Sequence, residues 1–441
     1  MSKPSSRLPI AAALASALLL AVPSFADSQA RIVRLSDVQG DVHIDRNSGQ
    51  GFEKAFLNLP ITQGVKLKTG KDARAEVEFE DGSTLRITPE TNIEFPVLSL
   101  RDSGAKVSTV NLEKGMAYVN FQGAKNDEFA VTFGQQKLTL PRPVHLRIET
   151  EASKAAVAVF KGQVQISTPG GPVDVSKNET ATFDLAHGDR ETLAKNVEPS
   201  PYDSWDKQQE QYYDRYASNG SVGSTSPYAY GATDLNYYGS FFNLAGYGMF
   251  WQPYFIGAGW DPFLNGAWAF YPGYGYGWVS AYPWGWTPYH YGSWRFLPDR
   301  GWAWQPGGSW SPYNTRLSVQ NPPTKFVLPQ PPNSGQGTVF VNRGTMANQV
   351  GLFRRLEIRQ NSAGLGIPRG EIQNLSMLSP IVQQRGAAKV WMPPASLGDS
   401  GWWHGGYSEP NAGVGAWHGS GMSGSTGHSS GGHSSGGGSH H

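Results

Sequence analysis

The sequence contains no cysteine, and its 36 basic and 35 acidic residues leave a formal net charge of only +1. The absence of cysteine excludes disulfide bonds, metal–thiolate sites and thiol catalysis. The near-zero charge offers no basic stripe of the kind that nucleic-acid binding requires, so we expect no nucleic-acid partner. Stability must come from apolar burial, and the chain is long enough for two cores.

Long apolar runs are also absent beyond the first 26 residues, which have the pattern of a secretory signal peptide. Its three parts follow in order: basic Lys3 and Arg7, apolar Leu8 to Val22, and small Ser24-Phe-Ala26. An uncleaved anchor is the alternative, but an apolar helix of this length reaches only about 22 Å, against a hydrocarbon core of about 30 Å. We therefore expect cleavage after Ala26, a periplasmic or secreted location, and no integral membrane span in the mature protein.

Residues 31–186 repeat one motif, in which two alternating strands flank a turn at glycine. The copies are Val38-Gln-Gly40-Asp-Val42, Leu112-Glu-Lys-Gly115-Met-Ala-Tyr-Val119 and Phe160-Lys-Gly162-Gln-Val164. Repeated short strands that each bury one face indicate an all-β region built as a β-solenoid or sandwich-like stack.

A hairpin is predicted between the first two copies, with its tight turn at Asp81-Gly82. Apolar and charged residues alternate before this turn, which predicts one buried and one solvent-facing side. The apolar side consists of Ala73, Ala75, Val77 and Phe79. The side expected to face water consists of Arg74, Glu76, Glu78 and Glu80.

The same block resembles the core motif of the FecR domain. The motif is carried by Gly64-Val-Lys-Leu-Lys-Thr-Gly70, Ala73-Arg-Ala-Glu-Val-Glu-Phe79, Asp81-Gly-Ser-Thr-Leu-Arg-Ile87 and Pro89-Glu-Thr91. The resemblance, over residues 31–186, implies a periplasmic β-solenoid-like domain without catalytic residues. In the archetype this domain follows a cytoplasmic anti-sigma segment and receives a signal from an outer-membrane receptor. Here a signal peptide stands where that segment would be, so the resemblance does not imply sigma-factor binding.

The aromatic region, residues 237–313, combines 28 aromatic residues and 14 glycines with only four charged side chains. This density of glycine and proline excludes helices and predicts short strands and turns. Its units Trp286-Thr-Pro-Tyr289-His-Tyr-Gly292-Ser-Trp294 and Gly301-Trp-Ala-Trp304-Gln-Pro-Gly307 resemble a region that follows FecR-like domains in secreted bacterial proteins of unknown function.

Three further segments complete the chain. Residues 187–236 are a polar connector in which Asp203 or Ser204 is expected to cap a short helix. The spacing of Trp205, Gln209, Tyr212 and Tyr216 predicts one aromatic face on this helix, which is expected to dock the two domains. Residues 219–226 are expected to form a flexible Gly/Ser linker. Residues 314–399 are punctuated by proline and contain β-type runs at Thr338–Val341 and Leu356–Ile358. Residues 400–441 are rich in glycine, serine and histidine, which predicts a disordered tail.

The densest ring cluster of the aromatic region supplies the candidate binding residues Trp284, Trp286, Tyr289 and Trp294. Exposed rings of this kind match the apolar faces of sugars, so a glycan-binding platform is one hypothesis. Rings buried against one another would instead indicate a scaffold.

The sequence offers little support for a catalytic site or a metal site. Glu76 and Glu78 lie about 7 Å apart along a strand, as in some glycosidases, but nearby arginines favour a solvated salt-bridged face. His290 is expected to be packed or hydrogen-bonded, and the tail histidines lack the supporting residues of a metal site. We predict no enzymatic activity, no cofactor and no metal centre.

Three functions are left open. The first is a non-catalytic envelope interaction or scaffold protein, with a link to cell-surface signalling and an envelope protein as its partner. The second is a glycan- or peptidoglycan-binding protein that recognises the cell wall. The third, least favoured, is an enzyme with a dispersed site, which would show a pocket of converging titratable groups.

Overall fold

The computed structural model of the 441-residue chain describes residues 31–123, 126–187, 190–217, 226–343, 348–351 and 354–392. The segments predicted as a signal peptide (1–26) and a disordered tail (400–441), and most of the linker predicted at 219–226, lie outside the described residues. The described chain is mostly β-strand with few helices, which confirms the all-β prediction. Within these described ranges, no helix is both long and apolar enough to cross a membrane.

Seventeen strands of the N-terminal half form two sheets that are joined by one long strand. We call this part the N-terminal sandwich, residues 33–194. Its strands are β1 Val33–Gln39, β2 Val42–Asp45, β3 Glu53–Lys54, β4 Pro60–Ile61, β5 Lys66–Thr69, β6 Arg74–Glu78, β7 Thr84–Ile87, β8 Asn92–Leu100, β9 Lys106–Phe121, β10 Glu128–Phe133, β11 Gln136–Leu140, β12 Val144–Thr150, β13 Lys154–Lys161, β14 Gln163–Thr168, β15 Gly171–Ser176, β16 Thr180–Asp184 and β17 Arg190–Ala194.

The long strand β9 belongs to both sheets. Its first half pairs with β8 and β10, and its second half pairs with β7 and β12. The predicted hairpin is β6–β7, in which Val77 lies opposite Leu85. Gly82 closes its turn at φ 86°, a left-handed conformation that glycine adopts without strain. The apolar side of the hairpin faces the core as expected, since Val77 and Leu85 are both fully buried.

Two helices follow the sandwich. The predicted connector helix is α1, Asp203–Ala217, and the expected aromatic face is the buried one: Trp205, Gln209, Tyr212 and Tyr216. A second helix, α2 (Ala232–Tyr238), leads into the aromatic region.

Three small sheets and two more helices make up the rest of the described chain. The elements are β18 Gly239–Leu244, β19 Gly248–Pro253, β20 Asn265–Tyr271, β21 Gly275–Ser280, α3 Thr287–His290, β22 Ser293–Leu297, β23 Gly301–Gln305, β24 Val319–Gln320, β25 Thr338–Asn342, β26 Gln349–Gly351, β27 Arg355–Arg359, α4 Leu375–Arg385 and β28 Ala387–Trp391. The sheet orders are β18-β19-β23-β22-β24, β21-β20-β25 and β26-β27-β28. The two β-type runs expected after residue 314 are β25 and β27. Helix α3 is a single turn inside the aromatic region, where no helix was predicted, and its proline stands in the first turn, which tolerates it.

The sandwich core continues into the aromatic region. Tyr230, Tyr271 and Trp286 pack in the same buried cluster as the valines, leucines and isoleucines of the sandwich. A second core holds most of the remaining tryptophans together with side chains from α1, β27 and α4. Because these cores share elements from both halves, the described residues belong to one compact unit.

Candidate functional site

The four rings proposed as a binding platform are buried. Trp284 and Trp286 have no exposed surface, and Tyr289 and Trp294 are 5% and 2% exposed. The Trp284 ring stacks on Tyr282 at 4.9 Å, and its Nε1 donates to the carbonyl of Ala363 at 2.6 Å. These rings therefore form no exposed platform, because they pack inside the two hydrophobic cores.

The other tryptophans of the aromatic region are also buried or half-buried. Nine of its ten tryptophans are buried, and Trp310 is half-buried. Glycines on adjoining strands make room for the rings. A Cβ on Gly266 would lie 2.4 Å from the Trp278 ring, and one on Gly292 would lie 2.5 Å from Nε1 of Trp304. The alternation of glycine and tryptophan thus lets an indole lie directly on a neighbouring backbone.

His290 belongs to this packing. Its Nδ1 lies 2.7 Å from the carbonyl oxygen of Ser311, and its ring contacts Trp286 at 4.1 Å between centroids. Burial lowers the pKa of His290 to about 4. The histidine is packed and hydrogen-bonded, as the sequence indicated.

The charged side of strand β6 does not face water, contrary to the sequence prediction. Glu76 and Glu78 are 0% and 1% exposed, and Arg74 and Glu80 are 6% exposed each. They are covered because α1, α2 and the segment around Arg369 lie over this face of the sandwich and contribute charges of their own. The three glutamates are salt-bridged, as expected, but this face of the strand is not solvated.

Glu76 lies at the centre of this buried charged interface. Its Oε1 accepts hydrogen bonds of 2.7 Å from Arg369 Nη1, Tyr213 Oη and Ser36 Oγ, while its Oε2 accepts one of 2.7 Å from Arg86 Nε. Burial alone would raise the pKa of Glu76, but the two guanidinium groups outweigh burial and lower it to about 2. Glu76 is therefore ionised at any physiological pH.

Glu78, two residues along the strand, has fewer cationic partners. It accepts a 3.0 Å hydrogen bond from Arg34 Nη1 and one of 3.1 Å from the backbone N–H of Gly231. Arg34 is shared, because the same Nη1 lies 2.6 Å from Asp234 of α2. Burial raises the pKa of Glu78 to about 7, and the nearby Asp234 carboxylate adds to the effect against the pull of Arg34.

Arg369 joins four segments of the chain at this interface. It contacts Glu76 of β6, donates to the backbone oxygen of Ser36 in β1 at 2.6 Å, and lies 3.2 Å from Asp234 in α2. Its guanidinium also lies over the Tyr212 ring of α1 at 5.2 Å. All of these contacts lie within the protein, so Arg369 links the N-terminal sandwich to the C-terminal half of the described chain.

The adjoining group could in principle hold a metal ion. Single ligand atoms of His145, Asp206 and Glu210 lie within 4.8 Å of one another. However, Nη1 of Arg86 lies 2.7 Å from Asp206 and 2.6 Å from Glu210, so a guanidinium already supplies the positive charge. His145 Nε2 lies 2.8 Å from the other Asp206 oxygen. The residues fit an ion-pair cluster better than a metal centre.

Hydrogen bonds from the sandwich to backbone carbonyls extend the interface. Arg34 donates to Pro283 at 2.7 Å, Asn58 to Ser280 and Tyr282 at 3.0 and 2.8 Å, and Arg46 to Phe270 at 2.7 Å. Local sequence patterns did not predict these partners, because 200 or more residues separate each pair. Arg74 and Arg86, which flank Glu76 and Glu78 in the sequence, were the one sign that these carboxylates are paired.

A surface groove of about 460 Å³ lies elsewhere, at the edge formed by β13, β16 and β17. It is lined by Ser153, Lys154, Thr182, Phe183, Asp184, Ala186, His187 and Thr192. His187 Nδ1 and Asp184 Oδ2 are 2.9 Å apart and exposed, which describes a surface ion pair rather than a shielded reaction centre.

Family comparisons agree with the motifs. Residues 65–165 match the family described as FecR protein, and residues 232–332 match a family of unknown function (DUF6600). The chain thus carries a FecR domain followed by a DUF6600 domain, which confirms the two resemblances found in the sequence.

Two crystal structures of a candidate anti-sigma factor from Parabacteroides distasonis ATCC 8503 are similar in part. One is 18% identical, with a TM-score of 0.27 over 30% of this chain and 59% of that protein. The other is 16% identical, with a TM-score of 0.27 over 36% of this chain and 70% of that protein. The chain thus spans less than two thirds of the first structure's length, and no curated protein matches it.

Proposed function

We propose that this FecR-domain protein is a non-catalytic interaction protein of the bacterial envelope, in which the sandwich serves cell-surface signalling and the aromatic region supports it. The observation that carries the proposal is the burial of nine of the ten tryptophans in the aromatic region. Rings that form a core stabilise a scaffold and leave little area for a flat ligand. The FecR domain supplies the second support, because that family is regulatory rather than enzymatic.

The titratable groups support a non-catalytic role. A catalytic carboxylate must reach a substrate, whereas Glu76 is sealed from solvent and receives four hydrogen bonds from the protein itself. Structural ion-pair networks perturb pKa values as strongly as active sites do. The shifted pKa values of Glu76 and Glu78 are therefore accounted for by the interface between the two halves.

Glycan binding is the competing proposal, and it has to rest on other residues than those first considered. Tyr247 and Tyr274 are 57% and 41% exposed and stand in two different hairpin turns. Tyr247 lies under the Arg295 guanidinium, and Tyr274 stacks on the buried Tyr313 at 4.3 Å, whereas a sugar platform uses neighbouring exposed coplanar rings. An envelope protein is therefore the preferred partner.

Site-specific photo-crosslinking in the envelope of the producing cell tests the proposal. A photoreactive residue is placed at exposed positions of each half: Phe52 and Leu193 in the sandwich, Tyr247 and Tyr274 in the aromatic region. We expect a discrete protein adduct from at least one sandwich position, unchanged in size by digestion with a muramidase. Adducts that disappear on digestion, or no adducts at any position, would overturn the proposal.

Retention on insoluble cell wall provides the second arm. The full chain is compared with Tyr247→Ala and Tyr274→Ala, which remove exposed rings, and circular dichroism checks that both variants fold. We expect equal retention of all three proteins. Loss of retention in either variant would establish glycan binding in place of a protein partner.

A further inference from the structure

The charge of the chain is distributed unevenly between its two halves. Residues 31–225 contain 23 basic and 27 acidic residues, whereas the C-terminal half, residues 226–392, contains 11 basic and five acidic residues. The formal charges are therefore −4 and +6, and the near-zero overall charge conceals a cationic C-terminal half. A charge asymmetry of this kind directs the cationic half toward an anionic partner.

A small apolar cluster lies on one face of the sheet β18-β19-β23-β22-β24. Phe250, Leu297 and Ala303 form its buried part, and Phe242 and Leu244 pack against them. All five side chains belong to this sheet, and no apolar side chain of another described element joins them. The cluster is therefore separate from the two cores that hold the halves together.

The turn between β18 and β19 carries this apolar face into solvent. Tyr247 and Met249 are 57% and 40% exposed, and Leu244 is half-buried. Among the described residues, no atom beyond the adjoining chain lies within 4 Å of a Cβ placed on Gly246 or Gly248. The turn therefore protrudes from the protein as an exposed apolar tip, which we call the 244–249 tip.

Two arginines lie over aromatic rings at this tip. The Arg295 guanidinium is 5.4 Å from the centre of the Tyr247 ring, and the Arg300 guanidinium is 4.8 Å from that of Phe242. Arg295 is half-buried and also donates to Gln320 Oε1, whereas Arg300 is exposed. Tyrosine beside apolar residues and arginine is typical of surfaces that meet the headgroup layer of a membrane.

We propose that the 244–249 tip docks on an anionic lipid surface. Its exposed apolar side chains enter the boundary between headgroups and acyl chains, Arg300 meets lipid phosphates, and Arg295 adds positive charge beside it. Asp299 is the one acidic residue in the strands and hairpin turns of this sheet, so little negative charge opposes the approach.

A lipid surface fits the shape of the tip better than a folded protein does. A protein partner would need a cavity matched to a protruding turn, whereas headgroups rearrange around it. Lipid docking of the C-terminal half is independent of the protein partner proposed for the sandwich.

Vesicle binding of the full mature chain tests the proposal. We expect at least about tenfold stronger partitioning onto vesicles of phosphatidylglycerol and phosphatidylcholine than onto phosphatidylcholine alone, with a decrease as salt is added. Tyr247→Ser with Arg300→Gln should weaken partitioning at least about tenfold, because one cation near an anionic surface accounts for about fivefold and the ring adds to it. Circular dichroism checks that each variant folds.

The sandwich offers a matched control. Lys68 Nζ lies 4.0 Å from the centre of the Phe52 ring, which is 42% exposed, so this pair repeats the chemistry of a cation over an exposed ring. Phe52→Ser with Lys68→Gln should leave partitioning unchanged. An equal loss in this control would overturn the proposal, as would no binding to anionic vesicles or equal binding to neutral ones.

The lack of native cysteine allows a local readout that does not depend on weakened variants. An environment-sensitive dye on Tyr247→Cys should emit at shorter wavelength when anionic vesicles are added, whereas the same dye on Phe52→Cys should not change. A shift at Phe52→Cys alone would overturn the proposal. A shift at Tyr247→Cys produced equally by soluble polyglutamate would assign the tip to an acidic protein and would likewise overturn it.

Discussion

Neighbouring carboxylates on strand β6 should respond to pH in opposite directions. Burial raises the pKa of Glu78 to about 7, while two arginines overcome burial and lower the pKa of Glu76 to about 2. A raised pKa means that the folded state holds the proton more tightly, so stability is greatest below the unfolded pKa and is lost as pH rises through the folded pKa. For Glu78 this window runs from 4.5 to about 7.

The magnitude follows from the two pKa values. A difference of 2.5 units at about 1.36 kcal/mol per unit gives about 3 kcal/mol. The wild-type protein should therefore lose about 3 kcal/mol of unfolding free energy relative to Glu78→Gln as the pH rises from 4.5 to 7.5. Glutamine keeps the shape of the side chain and removes its titration. Urea unfolding at a series of pH values, followed by tryptophan fluorescence, measures the difference.

Glu76→Gln is the matched control on the same strand. Its stabilising effect in the wild type is present above the unfolded pKa of 4.5 and is lost only as pH falls toward about 2. The wild-type advantage over Glu76→Gln should therefore change much less between pH 5 and 7.5 than the difference from Glu78→Gln, with only a small fall because the Glu76 charge also helps to raise the pKa of Glu78. A difference from Glu78→Gln that stays constant or increases with pH would refute the account of the buried interface.

Three further predictions concern packing, each measured by urea unfolding. Phe79→Ala should cost about 3–5 kcal/mol, since Phe79 is 2% exposed and contacts Phe129. Gly292 and Gly301 both have φ near 80°, so replacing either with alanine should lower the free energy of unfolding by about 1–2 kcal/mol. At Gly292 the added Cβ would also clash with the backbone oxygen of Gln305, so Gly292→Ala should be clearly more destabilising than Gly301→Ala. Trp286→Ala should cost about 3–5 kcal/mol and leave cell-wall retention unchanged; lower retention with full stability would contradict its burial.

Local patterns predicted the sandwich well. Alternation of Val77 and Phe79 with charged residues, and the Asp81-Gly82 turn, identified the β6–β7 hairpin and its core side. The helix beginning at Asp203 was also predicted from its spacing of aromatic residues. These features are determined by residues that lie within a few positions of one another, so the sequence alone is enough to predict them.

The other face of β6 could not be predicted in this way. Alternating charges are typical of a solvated strand face, and only distant residues make it a buried one. Asp234 and Arg369 lie more than 150 residues beyond Glu76 in the sequence. In the fold, Arg369 pairs with Glu76, and Asp234 pairs with Arg369. The platform hypothesis was wrong for a related reason: local density of Trp284, Trp286 and Trp294 does not reveal that other elements cover the rings.

The charges at the interface bear on how the two halves are held together. If Glu76, Glu78, Asp206, Glu210 and Asp234 were all ionised, five negative charges would face three arginines (Arg34, Arg86 and Arg369), an excess of two. The raised pKa of Glu78 relieves this excess by retaining one proton.

Such an interface orients its parts more strictly than an apolar one, because each guanidinium must meet its acceptors along defined directions. Arg369 illustrates this with acceptors in β1, β6 and α2. The apolar contacts of Trp286 and Tyr230 stabilise the union of the two halves, whereas the charges determine their relative position. A scaffold that presents one fixed surface to an envelope partner requires both.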